Sequence, residues 1–402
     1  MRKGTARAAG LMLGFALDRV LGDPRRWHPV AGFGSAAARL EAVTYRDSRG
    51  AGVVHEAVLV GGVIAAGVVA QRLAGGPAGC GGRGRSGTAG LVAQRLAGGR
   101  AGRGGRCRSG TAGLVAQGSV GGGAGDRGRR WLGTAKRRNG IRGWWRTASA
   151  ASLYEGAPVG AAANAGTVVV VALATWTALG GTTLARTGRE MADLLEAGDI
   201  EAARRVLPSL CGRDPELLDA DGLARAALES IAENTSDATV APLFWGAVAG
   251  VPGLLGYRAV NTLDAMVGYR NERYTNFGWA AARTDDLANL IPARLSAALT
   301  AVLAPLAGGR PAAALRAWRR DAAAHPSPNA GVAESAMAGA LGIRLGGRTE
   351  YRHGIEMRPT LGDGPAPRVP DLRRAVRLSQ AIQTASALTA AIAALARGRA
   401  TP

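Results

Sequence analysis

Glu229, Glu233 and Asp237 recur every four residues, so a helix through them would carry all three carboxylates on one face. No basic residue lies between Arg225 and Arg258 to offset their repulsion. A hard cation such as Mg2+ would offset it, because that ion takes oxygen ligands and keeps waters that a phosphate can replace. Asn234 adds an amide beside them. The same residues also suit a solvated helix face ending at Asn234-Thr235-Ser236-Asp237, a stretch with cap and turn chemistry.

A second polar cluster follows. Asn261 and Asp264 lead to Tyr269, Arg270, Asn271, Glu272 and Arg273, and then to Arg283, Asp285, Asp286 and Asn289. Asp285 and Asn289 are again one helical turn apart. So dense a set between two apolar runs suggests a lined cavity. The alternative, for Arg270, Glu272 and Arg273, is a network of arginine–carboxylate pairs that only stabilises the fold.

Between the clusters lies an uncharged run of 20 residues, Ala238 to Tyr257. Charge is costly in hydrocarbon, so a run of this length fits a membrane-embedded segment. Pro242 and Pro252 interrupt it, which predicts a kinked or broken helix. Four further apolar stretches are Ala57–Ala70, Gly156–Ala185, Leu295–Gly309 and Leu378–Ala396. Gly156–Ala185, 30 residues without a charge, is the clearest spanning segment. Ala57–Ala70 and Leu295–Gly309 are short enough to be buried or re-entrant. Residues 186–229 repeat Leu, Ile, Val and Ala at helical spacing and read as amphipathic hairpins outside the bilayer, with Asp219 and Asp221 as helix caps. The expected fold is all-α: a polytopic integral membrane helical bundle with amphipathic cytoplasmic helices and a disordered Gly/Arg-rich insert. The segments are 1–73, the insert at 74–149, and a membrane-associated catalytic part at 150–402.

The charge is unevenly placed. Of the net +21, +15 lies between Arg72 and Arg146, where sixteen basic residues face Asp126 alone. There VAQRLAGG at 69–76 recurs at 92–99, and RSGTAGLVAQ at 85–94 recurs at 108–117. A Gly/Arg-rich segment buries too little apolar surface to offset chain entropy, so disorder is expected and no nucleic-acid partner is inferred from the charge. The N-terminus has a basic start and a short apolar run; it reads as retained rather than cleaved. Asp18, Asp23 and His28 follow in a turn-rich stretch. Lysine occurs only at Lys3 and Lys136, neither after a GxxxxG, which excludes a Walker phosphate loop and a lysine Schiff base near the acids. Cys80, Cys107 and Cys211 form no zinc-type spacing.

Long strings of this chain resemble the adenosylcobinamide-phosphate synthase (CobD/CbiB) family of cobalamin biosynthesis. They are LDRVLGDPRRWHPVAGFG from Leu17, ESIAENTSDATVAPLFW, AVNTLDAMVGYRNERYTNFGWAAARTDDLANLIPARL, and SPNAGVAESAMAGALGIRLGG. The resemblance covers residues 11–73 and 150–365. Where the family pattern carries Trp-Pro, this chain has Val332-Ala333. The resemblance implies ATP-dependent amide formation between a propionate of adenosylcobyric acid and 1-amino-2-propanol or its O-phosphate, through an acyl phosphate. ATP and Mg2+ are the implied cofactors. Glu229, Glu233 and Asp237 would hold the metal. Asp264, Asp285 or Asp286 would take the amine's proton. Asn234, Asn261, Tyr269, Arg270, Asn271, Glu272, Arg273, Asn289, Ser327, Asn329 and Glu334 would bind substrate or phosphate. In the SPNAG turn, exposed backbone N–H groups suit an anion. Asp363 suits either a metal or a turn.

The implied location is the cell membrane, with membrane lipid and other late corrinoid-pathway membrane enzymes as neighbours and the site facing the cytoplasm. The positive-inside rule would put the basic insert in the cytoplasm instead, but the insert exceeds the ~60 residues over which that rule holds. The insert is therefore expected outside, with Ala238–Tyr257 and Leu295–Gly309 re-entrant. A transporter with intramembrane acids is the alternative reading.

Overall fold

The computed structural model describes residues 3–23, 28–75, 159–351 and 354–400. The insert expected at 74–149 lies outside these residues apart from its first two. In chain order the helices are α1 (Lys3–Leu21), α2 (Pro29–Thr44), α3 (Arg49–Ala74), α4 (Val159–Ala178), α5 (Gly181–Glu196), α6 (Ile200–Val206), α7 (Ala220–Thr235), α8 (Ala241–Ala249), α9 (Val251–Val267), α10 (Trp279–Leu303), α11 (Pro311–Asp321), α12 (Ala330–Leu341) and α13 (Val369–Ala400). Between α12 and α13 the strands β1 (Leu345–Tyr351) and β2 (Gly354–Leu361) form an antiparallel hairpin that the sequence reading did not foresee. The protein is otherwise the expected helical bundle, and the helices on either side of the insert belong to one compact unit.

Small residues let the helices approach closely. Gly10 and Gly14 of α1 press on Val171 and Thr175 of α4, and Gly4 meets Gly398 of α13. Every residue of α12 is buried, which its run of Ala, Gly and Ser permits. α5 buries Leu184, Met191, Ala192 and Leu195 on one stripe, as an amphipathic helix should. Asp219 accepts the Gly222 N–H at 2.7 Å and so caps α7 as expected.

Among the described residues, four stretches are long and apolar enough to cross a membrane: Arg49–Ala74, Ala163–Glu196, Trp279–Ala307 and Val369–Arg399. Exposed Val53, Val54, Val58, Leu287, Ile291, Leu388 and Ile392 lie on three of them. Two expectations change. Ala57–Ala70 is the middle of a 26-residue helix, and Leu295–Gly309 continues a helix that begins at Trp279, so neither is too short to span. The Ala238–Tyr257 run is broken as expected, at Gly250 with φ +71°, and is not one of the four.

The irregularity at Pro242 has a local cause. Residues Ser236–Val240 form a π turn between α7 and α8, in which the Ala241 N–H reaches back to the Ser236 carbonyl. Pro242 has no N–H for the Ala238 carbonyl four residues earlier. That oxygen instead accepts from the Gly180 N–H at 3.1 Å. The Asp237 carbonyl, also released by the wide turn, lies 3.3 Å from the Tyr257 hydroxyl. The sequence suggested that the helix ends at 234–237; it continues because these outside donors satisfy the freed carbonyls.

Candidate active site

The π turn brings Ser236 and Asp237 into the wall of a cavity of about 450 Å³. α7 supplies Glu233, and α9 supplies Asp264 near its C-terminal end. The following turn supplies Tyr269 and Arg270, and α10 supplies Asp285, Asp286 and Asn289. The turn before α12 contributes Ser327 and Asn329. Glu233 and Asp264, 31 residues apart in sequence, thus line one space.

Hydrogen bonds fix the α10 side. Asn289 donates to Asp285 Oδ2 at 3.0 Å and accepts from the Tyr257 hydroxyl at 2.9 Å. Asn261 donates to Asp285 Oδ1 at 3.4 Å from one layer behind. Asp286 pairs with Arg283 at 3.1 Å. Asn329 donates to the Asp286 carbonyl at 2.8 Å and accepts from Arg294 at 3.1 Å. The Ser327 hydroxyl oxygen accepts the N–H groups of Asn329 and Ala330, so two donors expected to meet an anion at this turn are already engaged.

The acids raise one another's proton affinity. Burial, then Asp286, Glu233 and Glu56, push the Asp264 carboxyl up to about 6. Burial, with the charges of Asp285, Glu233 and Asp264, holds Asp237 well above the usual carboxylate range. Burial raises Glu233, and Arg358 partly counters it. Among the described residues no group of three acids, histidines or cysteines is arranged to hold a metal ion unaided. The donor set fits a Mg2+ that arrives on a phosphate and keeps waters, which needs only one or two carboxylates.

Several expected residues lie elsewhere. Glu229 sits outside the cavity, in a buried ion pair with Arg213, 3.6 Å from Arg358, and accepts the Gly346 N–H at 2.9 Å. The guanidinium groups of Arg213 and Arg358 meet its charge there. Glu334 is 1 % exposed and lies 3.7 Å from Arg358 and 3.8 Å from His325. Arg273 pairs with Glu41 at 2.9 Å and stacks over Tyr45, the fold-stabilising alternative. Asn271 accepts the Tyr274 N–H within its turn, and Glu272 is exposed beside it. Among the described residues Asn234 bonds back to Ser230, donating to its carbonyl and hydroxyl oxygens. His28 caps α2 through the Val30 N–H, and Asp363 pairs with Arg320. Reasoning from the sequence missed Arg213, Arg358, Arg294 and Tyr257. Arg294 and Tyr257 bordered segments already singled out; nothing in spacing pointed to Arg213 or Arg358.

Comparison with known proteins bears on what this cavity does. The model of the CobD/Cbib protein family matches residues 11–98 and 120–379, further into the Gly/Arg-rich segment than the resemblance had reached. The chain is 49% identical over 384 residues to "Cobalamin biosynthesis protein CobD" of Mycobacterium tuberculosis, covering 96% of this chain and 95% of that protein. It is 54% identical over 185 residues to the protein of that name from Rhodobacter capsulatus, covering 46% of this chain and 58% of that protein. With that of Geobacter metallireducens it shares 50% identity over 196 residues, 49% of this chain and 62% of the relative. No solved structure matches it. A match over most of the chain, with these relatives, makes the protein a member of the CobD/Cbib family.

Proposed function

We propose that this protein is an adenosylcobinamide-phosphate synthase, joining a propionate of adenosylcobyric acid to 1-amino-2-propanol or its O-phosphate at the expense of ATP. Family membership supports the role in cobalamin biosynthesis. The observation that carries the finer reading is the convergence of Glu233, Asp237, Asp264 and Asp285 on one cavity.

A carboxylate is a poor electrophile, and ATP supplies the phosphoryl group that activates it. Glu233 and Asp237 are the residues that would hold Mg2+ with its phosphate-borne ligands. Arg270 at the mouth of the cavity, with Arg294 beside Asn329, offers positive charge to phosphate oxygens. Asp264, ionised above about 6, would take the proton that the amine nitrogen loses as its bond to the acyl carbon forms, while the bond from that carbon to the phosphate oxygen breaks and inorganic phosphate leaves. Asn289 and Asn261 hold Asp285 in place, and Tyr257 holds Asn289. We place the cavity on the cytoplasmic side of the cell membrane, where ATP is available.

The test is an assay of membranes containing the protein with ATP, adenosylcobyric acid and each amine, read by mass spectrometry of the amide. Glu233→Gln is expected to abolish the product. Full activity of that variant would remove the metal-binding proposal. Corrinoid uptake into vesicles with no amide formed would favour the transporter reading instead.

A further inference from the structure

His325 stands in the turn between α11 and α12, directly ahead of Pro326, Ser327 and Asn329 in the cavity wall. Its ring is buried and is not part of that wall. It packs on Gly331, where a Cβ would come within 3.1 Å of the ring's Cγ. Three elements bring charged groups to it: Arg358 from β2, Glu334 from α12 and Glu229 from α7. Arg213 pairs with that Glu229.

More donors face this ring than it can accept. The Ser327 N–H points at Nδ1 from 3.1 Å, and Nη2 of Arg358 lies 2.5 Å from Nε2. A neutral imidazole has one bare nitrogen and an imidazolium has none, so at most one donor is accepted. The guanidinium is always charged and repels a second cation in contact with it. Burial and the charge of Arg358 accordingly push the imidazole's pKa below its ordinary value. Two neutral forms remain. A proton on Nε2 would collide with Arg358, and Glu334 Oε1 at 3.8 Å is too far to accept it. A proton on Nδ1 finds the Ser327 carbonyl oxygen at 3.3 Å. Nε2 is then bare and accepts a charge-assisted bond, about twice as strong as a neutral one. The donor left unmet is the neutral Ser327 N–H, which costs less than stranding a charged group. Glu229 and Glu334 stand 3.6 and 3.7 Å from the same guanidinium, so the imidazole is its closest described partner.

We propose that His325 is a positioning residue for the cavity, a neutral imidazole protonated on Nδ1 that holds Ser327 by its carbonyl and Arg358 through Nε2. The β hairpin is thereby tied to the turn that carries Ser327 and Asn329. Asn329 in turn meets Arg294 at 3.1 Å, the charge assigned above to phosphate oxygens. Only this last, kinetic consequence rests on the amide-forming reading.

The tautomer is read without any reaction, by nitrogen-15 NMR of protein labelled in its four histidines. The signals absent from His325→Asn identify the ring. One bare and one protonated nitrogen are expected, the proton on Nδ1, with no titration near the ordinary histidine value of about 6.5. In Arg358→Met the proton should move to Nε2, letting Nδ1 accept the Ser327 N–H; in Arg358→Lys it should stay. A proton on Nε2 in the parent, or an imidazolium at neutral pH, overturns the proposal. So does an unmoved proton in Arg358→Met; if that variant fails to fold, the parent spectrum still decides. The kinetic arm compares two replacements in membranes. His325→Asn keeps an amide N–H near the place of Nδ1, whereas His325→Gln keeps an oxygen near that of Nε2. Loss of the hold on Ser327 predicts an ATP KM raised about tenfold in His325→Gln. In His325→Asn it should stay within about threefold, at a similar melting temperature. Equal KM values in the two variants overturn the positioning role and leave the reaction standing. If no amide forms in any variant or the parent while the spectra are as expected, the reaction falls and the hold on the turn stands.

Discussion

The indole N–H of Trp245 donates to the carbonyl oxygen of Ala288 at 3.0 Å. Ala288 lies four residues before Pro292, which sits inside α10 and has no N–H to offer it. The span of α10 beside the cavity thus depends on a donor from α8. Trp245→Phe keeps most of the ring and leaves that oxygen unpaired. It is expected to cost about 1–3 kcal/mol, read as a lower melting temperature in detergent. Adding Pro292→Ala restores a donor within α10 and should recover part of the loss; no recovery would mean the indole acts through packing alone.

Asp264 predicts a pH dependence with a definite sign. As the base it works ionised, so the rate should rise with pH through about 6. In Asp264→Asn that limb should vanish along with most activity. Stability moves the other way. The folded protein keeps this proton up to about 6, whereas the free side chain releases it near 3.8, so stability falls as pH rises through that interval. Denaturation curves of Asp264→Asn should be flatter there than those of the parent.

Glu229 and Glu233 are one turn apart yet should fail differently. Glu229→Ala breaks the buried ion pair with Arg213 and removes the acid beside Arg358, a loss of about 3–5 kcal/mol, while the Mg2+ dependence of surviving activity stays as it was. Glu233→Gln should fold normally and lose activity at every Mg2+ concentration. Thermal unfolding and Mg2+ titration on the two variants separate the roles; the reverse pattern would exchange them.

Tyr257→Phe removes a single hydroxyl, the donor to Asn289 Oδ1 and a neighbour of the Asp237 carbonyl. Freed of it, Asn289 can release Asp285. Turnover is expected to fall about tenfold or more, the equivalent of ~1.4 kcal/mol, with the melting temperature lowered as well. Wild-type turnover would show that Asp285 needs no such support.

Local chemistry was readable where partners lie one turn apart. Asp285 with Asn289, Glu233 with Asp237, and the break after Ala249 all followed from spacing and proline position. What spacing hides is pairing across the fold. Glu229 looked unrelieved because Arg213 and Arg358 reach it from a loop and from β2. The hairpin itself was hidden because β1 opens with Leu345-Gly346-Gly347, both glycines at positive φ, where no alternation of apolar residues marks a strand. Arg273 was ambiguous for the same reason, since Glu41 lies 232 positions away. The wide turn at 236–240 was unreadable because a π turn has no composition of its own; it is set by Pro242 ahead and by the donors waiting in Gly180 and Tyr257.

That wide turn acts as a single added residue within an otherwise regular helical rod. Removing one residue from it, such as Ala238, would close it into an ordinary α turn and leave the rod beyond in register, with Trp245 still facing Ala288. Removing one residue from α8 ahead of Trp245, where there is no spare one, would swing everything beyond by roughly 100°. The same one-residue deletion should therefore be tolerated inside the wide turn and not in the helix that follows it.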